Sequence, residues 1–192
     1  MKQRIIVAGN PEYGIGQGIY QKWPEAEFAS RRNGFDLTED EGRTAFARRS
    51  MDFDVVIFCS ALWRFNQTIL VEQVWRTWSE QKKAGHLICL GSTADVGARA
   101  SNWLYPIEKK SLQSLCQNLS WCIHKGSPIK VTYLSLGYVL TPKTEEKHPQ
   151  KKKLSVSYVV DLVDWVLHQP EGVNVNSMSL DPCQPHSEMP HQ

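Results

Sequence analysis

No stretch of the chain approaches the ~20 consecutive apolar residues that a membrane-spanning helix needs. The opening, MKQRIIVAGN, has neither the longer apolar segment nor the small-residue cleavage site of a secretory leader, so a cytoplasmic protein without a membrane partner is expected. An excess of charge is also missing. Across 192 residues, 22 basic and 20 acidic side chains leave a net charge of +2, which gives no electrostatic footing for a nucleic-acid partner. Paired cysteine motifs are absent too. Cys59, Cys89, Cys116, Cys122 and Cys183 are odd in number and irregularly spaced, with no CxxC among them. Free thiols in a reducing compartment and no metal site are therefore expected. No internal repeat is visible.

What the sequence does contain is an alternation of short apolar runs with amphipathic stretches. The apolar runs predict strands at 4–8, 27–30, 54–59, 86–90, 129–134 and 173–180. The stretches between predict helices at about 15–22, 67–83, 105–123 and 154–167, with a further helix capped by Thr38 and ending near Ser50. Runs such as RIIVA and DVVIFC are continuously apolar, which implies burial on both faces. Strands alternating with helices imply parallel crossovers. The fold class expected is thus α/β, a doubly wound parallel sheet in a single domain over residues 1–182, with a flexible tail at 183–192. Residues 143–153 (KTEEKHPQKKK) read as a polar loop. Ligands of such sheets bind beyond the carboxyl ends of the strands, so candidate sites lie just after a strand.

Three such places carry chemistry. After the first strand comes AGNPEYGIGQG. Gly9 permits a sharp turn, Gly14 and Gly16 permit close backbone approach, and the N–H groups around Gly14, Ile15 and Gly16 open a helix that can receive a pyrophosphate. At the end of the second strand stand Arg31 and Arg32, where a site for an unphosphorylated ribose would place a carboxylate. Two guanidiniums fit a 2′-phosphate instead, pointing to NADP(H), with NAD(H) as the other candidate. After the fourth strand come Gly91 and Ser92, followed by Tyr105 and Lys109. Four residues apart, Tyr105 and Lys109 share one helix face. An ammonium beside a phenol favours phenolate, so the trio suits proton transfer to or from a substrate oxygen.

In order and spacing these motifs resemble the short-chain dehydrogenase/reductase (SDR) family, from Met1 to about Pro182. Ser92 precedes Tyr105 by 13 residues, as in that family. The resemblance implies a Rossmann-type sheet and an NADP(H)-dependent oxidoreductase acting on a small carbonyl or alcohol. It further implies that Tyr105 is the acid/base, that Lys109 lowers its pKa and holds the nicotinamide ribose, that Ser92 orients the substrate and that Asn66 serves a proton relay. Asp36 and Leu37 would meet the adenine. Ser60 and Ala61 match the family's Asn-Ala-Gly segment, and Gly137, Val139 and Thr141 match the segment that touches nicotinamide. Residues 31–36 are too few for the usual second helix, so the sheet should be abbreviated on the adenine side. Relatives pair through two long helices, here 67–83 and 105–123, so a homo-oligomer joined by Trp75, Trp78, Leu112 and Leu119 is expected. Arg99, Trp103, Tyr138 and residues 141–153 would shape the substrate pocket. A protein that binds NAD(P) without turnover, as sensor or scaffold, is the alternative reading.

Overall fold

The strand runs IIVA and VVIF offer no polar side chain to water, so they are stable only where both faces are covered. A computed structural model describes residues 3–96 and 104–183 and shows that arrangement. Six strands, β1 (Ile5–Ala8), β2 (Glu27–Ala29), β3 (Val55–Phe58), β4 (Gly85–Leu90), β5 (Ile129–Leu136) and β6 (Ser177–Leu180), form one sheet. Its order is β2-β1-β3-β4-β5-β6 and all pairs are parallel. The expected doubly wound α/β sheet is the one observed. Among the described residues no strand lies beyond β2, because only the 3₁₀ turn Arg31–Asn33 separates β2 from the approach to the next helix.

Helices α2 (Asp40–Ser50), α3 (Asn66–Glu80) and α4 (Tyr105–Trp121) cover one face, where Phe46, Leu70, Trp78 and Leu112 pack on Ile6, Val56, Phe58 and Leu87. Helices α1 (Gly14–Lys22) and α6 (Val156–Leu167) cover the other, with Ile19, Val159 and Val163 on Val7, Ile57 and Ile88. Alternate residues of β1, β3, β4 and β5 thus feed alternate cores. All five cysteines are free thiols. No helix among the described residues is long and apolar enough to cross a membrane.

Several local expectations shift. Helix α2 starts at Asp40 with Glu39 at its N-cap, because the Thr38 hydroxyl is spent on the Asp36 carboxylate at 2.6 Å. Part of the segment read as a loop is helical: α5 (Pro142–Lys147) begins at Thr141, whose hydroxyl accepts the Thr144 N–H. The expected dimer contacts are corrected as well. Trp78, Leu112 and Leu119 are buried in the core of their own chain and Trp75 is packed against it, so they are spent on the fold. The apolar residues that α3 and α4 leave exposed are Ile69, Ile107 and Trp121. The tail beyond Cys183, and Arg99 and Trp103, lie outside the described residues.

Candidate active site

Sheet order reverses between β1 and β3, and the loops leaving β1, β3, β4 and β5 gather on that side. Gly14 opens α1 with φ at +55°, a conformation that penalises any side chain. A Cβ on Gly16 would stand 2.1 Å from the Asn10 carbonyl oxygen, and one on Gly9 would meet the Cys59 sulfur at 2.2 Å. Tyr13, at the N-cap of α1, makes no side-chain capping bond. The first-turn N–H groups of Gly14, Ile15 and Gly16 are therefore not capped by it, which fits an anionic group seated on the helix dipole.

Arg31 and Arg32 sit in the 3₁₀ turn after β2, and each is already in an ion pair. Arg31 Nε lies 2.9 Å from the Asp36 carboxylate, and Arg32 meets Glu12 of the glycine-rich loop. Asp36 also takes both the hydroxyl and the N–H of Thr38, and these bonds hold its carboxyl below the usual range, with Arg31 adding to the effect. Leu37, next in the chain, is buried. Ser60 and Ala61 follow β3, with the Ser60 N–H on the Ala8 carbonyl.

Ser92, Tyr105 and Lys109 come together. The Ser92 hydroxyl accepts the Ala94 N–H at the start of a short turn. Tyr105 is the first residue of α4, and Pro106 beside it fits because a first helical turn needs no N–H donor there. Burial raises the Tyr105 phenol above its usual pKa. A hydrogen bond with the Ser92 side chain pulls it back, and Asp95, Glu108 and Tyr138 push it up further. Lys109 lies with Nζ 5.5 Å from the centre of the Tyr105 ring. Burial lowers its pKa to about 8, against the opposing pull of Glu108.

The partner of Lys109 is Gln67. Its Oε1 accepts from Nζ at 2.7 Å, and its Nε2 donates to the Leu90 carbonyl. Asn66, one residue earlier, faces elsewhere: its Oδ1 accepts from Arg43 at 2.8 Å and its Nδ2 donates to the Trp63 carbonyl. Helix α3 begins at Asn66, so adjacent side chains diverge by about 100°.

Beneath Ser92 lies a polar group that sequence reasoning missed. Asp95, 3% exposed, accepts from the Tyr133 hydroxyl at 2.6 Å and from Ser135 at 3.1 Å. Gly91 leaves the room this requires, since a Cβ there would stand 2.0 Å from the Tyr133 hydroxyl. Nothing local in the sequence signals that a β5 tyrosine reaches the turn after β4. A Cβ on Gly137 would stand 2.3 Å from the Asp181 carboxylate, which also accepts from Thr93. Val139 is buried, and the Thr141 methyl group would lie 3.2 Å from a Cβ on Gly14. The Lys143 N–H donates to the Tyr13 hydroxyl at 2.8 Å, so the loop after β5 touches the glycine-rich loop. Tyr138 packs in tilted contact with His148, ring centres 4.8 Å apart.

No family model matches the chain. Among curated proteins it is similar to an uncharacterized oxidoreductase of Staphylococcus epidermidis, 31% identical over 116 residues, which is 60% of this chain and 50% of that protein. The chain spans about half the length of the curated relatives it matches. Among solved structures it is similar to a serine dehydrogenase complexed with NADP+, at 16% identity and a TM-score of 0.73, covering 98% of this chain and 99% of that one. It is also similar to a 4-hydroxyisoleucine dehydrogenase complexed with NADH, at 17% identity and a TM-score of 0.71, covering 93% and 96%.

Proposed function

We propose, from the premise that this chain is a short-chain dehydrogenase/reductase-like protein, that it is an NADP(H)-dependent oxidoreductase acting on a small carbonyl or alcohol. The observation that carries this reading is the meeting of Ser92, Tyr105 and Lys109 in one place, with Ser92 bonded to the phenol and the ammonium over its ring. A protein that only bound the dinucleotide would have no use for that trio, which weighs against the sensor or scaffold alternative. The glycine-rich loop and the uncapped first turn of α1 would hold the pyrophosphate. Arg31 and Arg32 would hold the 2′-phosphate after exchanging Asp36 and Glu12 for it, and they favour NADP(H) over NAD(H). Asp36, Leu37, Ser60 and Ala61 would border the adenosine. Gly137, Val139 and Thr141 would border the nicotinamide, which when bound supplies or accepts the hydride.

The protein's part is then the proton. Ser92 orients the substrate oxygen toward the Tyr105 hydroxyl, and Tyr105 gives its proton to a carbonyl oxygen or takes one from an alcohol. Lys109 stabilises negative charge on the phenol, and Gln67 fixes the ammonium. In this reading Asn66 acts on the relay only through α3, since its carboxamide is occupied by Arg43. Pairing of two copies through α3 and α4 is part of the proposal, with Ile69, Ile107 and Trp121 as the exposed apolar residues available.

The test is Tyr105→Phe, which keeps the ring against Trp63 and removes the hydroxyl. With NADPH and a panel of small carbonyls, kcat should fall by ~10²-fold or more. NADPH affinity should hardly change. Full activity in the variant would remove Tyr105 from the proton path, and NADPH binding without any turnover by the wild-type chain would favour the non-catalytic reading.

A further inference from the structure

Between β3 and α3 the chain crosses from Ala61 to Asn66 through two consecutive left-handed residues, Arg64 at φ 58° and Phe65 at φ 61°. Neither is glycine, asparagine or aspartate, and for a bulky side chain this region is strained. Such a conformation persists where the surroundings hold it in place. One holding contact is evident. The Glu108 carboxylate, on a residue 6% exposed, accepts the Arg64 N–H at 2.7 Å. Glu108 lies one turn after Tyr105 and directly before Lys109. The held segment brings Trp63 to the Tyr105 ring at 5.8 Å. Leu62, Trp63 and Phe65 form one wall of a small cavity, and Tyr105, Glu108 and Lys109 form another.

We propose that Glu108 is a positioning residue, whose buried carboxylate clamps the strained Arg64–Phe65 turn over Tyr105 and Lys109 and places a negative charge beside that pair. Only the use made of the pair rests on the oxidoreductase reading; the clamp itself does not. Burial of a carboxylate is costly without donors, and the Arg64 N–H supplies one while being fixed by it. The charge acts on both neighbours in the same sense. It opposes the loss of the Lys109 proton that burial promotes, and it raises the phenol further. Lys109 also feels Cys89 from β4, Asp95 from the turn after β4 and Cys116 from α4. Tyr105 also feels Asp95 and, from the loop after β5, Tyr138. Within that company Glu108 keeps the pair as ammonium and phenol, the state able to protonate a carbonyl oxygen.

Two measurements on the full chain test this without cofactor or substrate: amide exchange at Arg64, and the NMR titration of the Lys109 side chain. Glu108→Gln keeps an acceptor oxygen and removes the charge, whereas Glu108→Ala removes both. Arg64 exchange should quicken by roughly tenfold or more in Glu108→Ala, the scale of a lost hydrogen bond to a charged group, and stay close to wild type in Glu108→Gln. The ionisation of Lys109 should move down from about 8 in both variants. Unchanged Arg64 exchange in Glu108→Ala, or an unmoved Lys109 in Glu108→Gln, overturns the proposal. If Glu108→Ala does not fold, the Lys109 titration in Glu108→Gln decides. Failure of the oxidoreductase reading would look different: no carbonyl turned over, with both responses intact.

Discussion

Glu12 stands in the glycine-rich loop and pairs with Arg32 in the turn after β2. Both side chains are more than 60% exposed, at 64% and 67%. An exposed pair of this kind is weak and exchangeable, so under the proposed NADP(H) reading a 2′-phosphate would replace the carboxylate. Glu12→Gln should then tighten NADPH binding by roughly a few-fold, on the scale of such pairs, and leave NADH affinity nearly unchanged. Fluorescence titration with the two cofactors checks this, and equal gains for both would take Arg32 out of 2′-phosphate recognition. Lys109 offers a second residue-level test. Its ammonium is present below its depressed pKa of about 8 and lost above it. The kcat/KM for NADPH, which reports the free enzyme, should therefore fall as pH rises through about 8. A profile flat from pH 7 to 10 would show that the ammonium is not needed.

At the scale of elements, the meeting of α5 with the start of α1 sets the mouth of the site. Thr141 and Thr144 cap α5 reciprocally, and Thr144 also donates to the Val139 carbonyl. Helix α5 has 6 residues, too few to be stable by propensity alone, so it depends on this cap. Thr141→Ala should cost ~1 kcal/mol locally. The effect should appear as faster amide exchange over α5 with little change in Tm, because α5 contributes no buried residue. A cooperative loss of several degrees would instead make α5 part of the global folding unit. The same element shows what local reading could not reach. KTEEKH looks like a solvated loop from its charges. What makes it helical is Thr141 arriving in extended conformation from β5, with Lys143 then tied to Tyr13, 130 residues earlier.

At the scale of the molecule, the exposed apolar residues on α3 and α4 bear on assembly. Ile69 is 39% exposed, Ile107 55% and Trp121 62%. If these helices pair two copies, light scattering at micromolar concentration should give a dimer or a larger symmetric assembly. Ile107→Glu should shift it toward monomer without lowering the stability of the fold. A monomeric wild-type mass at that concentration would exclude pairing through this face. The sheet itself ends at β2, which leaves Glu27, Phe28 and Ala29 at an edge rather than beneath a further strand.

By itself the sequence determined the order of elements, the parallel sheet, the place of the glycine-rich turn and the Ser92, Tyr105 and Lys109 set. Each of these is written in short-range form: short continuous apolar runs alternating with amphipathic stretches, glycines at a strand end, and a spacing of four on one helix. It also determined that the sheet is short beyond β2, because six residues between β2 and Asp36 leave no room for another crossover. Tertiary structure alone decided which of two neighbouring carboxamides meets Lys109. Asn66 and Gln67 are both polar and both at the start of α3, and only packing against α2 turns the first toward Arg43 and the second inward. It likewise decided that Trp78, Leu112 and Leu119 serve the core rather than an interface, since an apolar stripe on a helix does not say which surface will cover it. The Asp95–Tyr133 bond and the Glu108 clamp on Arg64 join residues 38 and 44 apart in sequence. A buried carboxylate finds its donor through the fold, and no local pattern records that meeting.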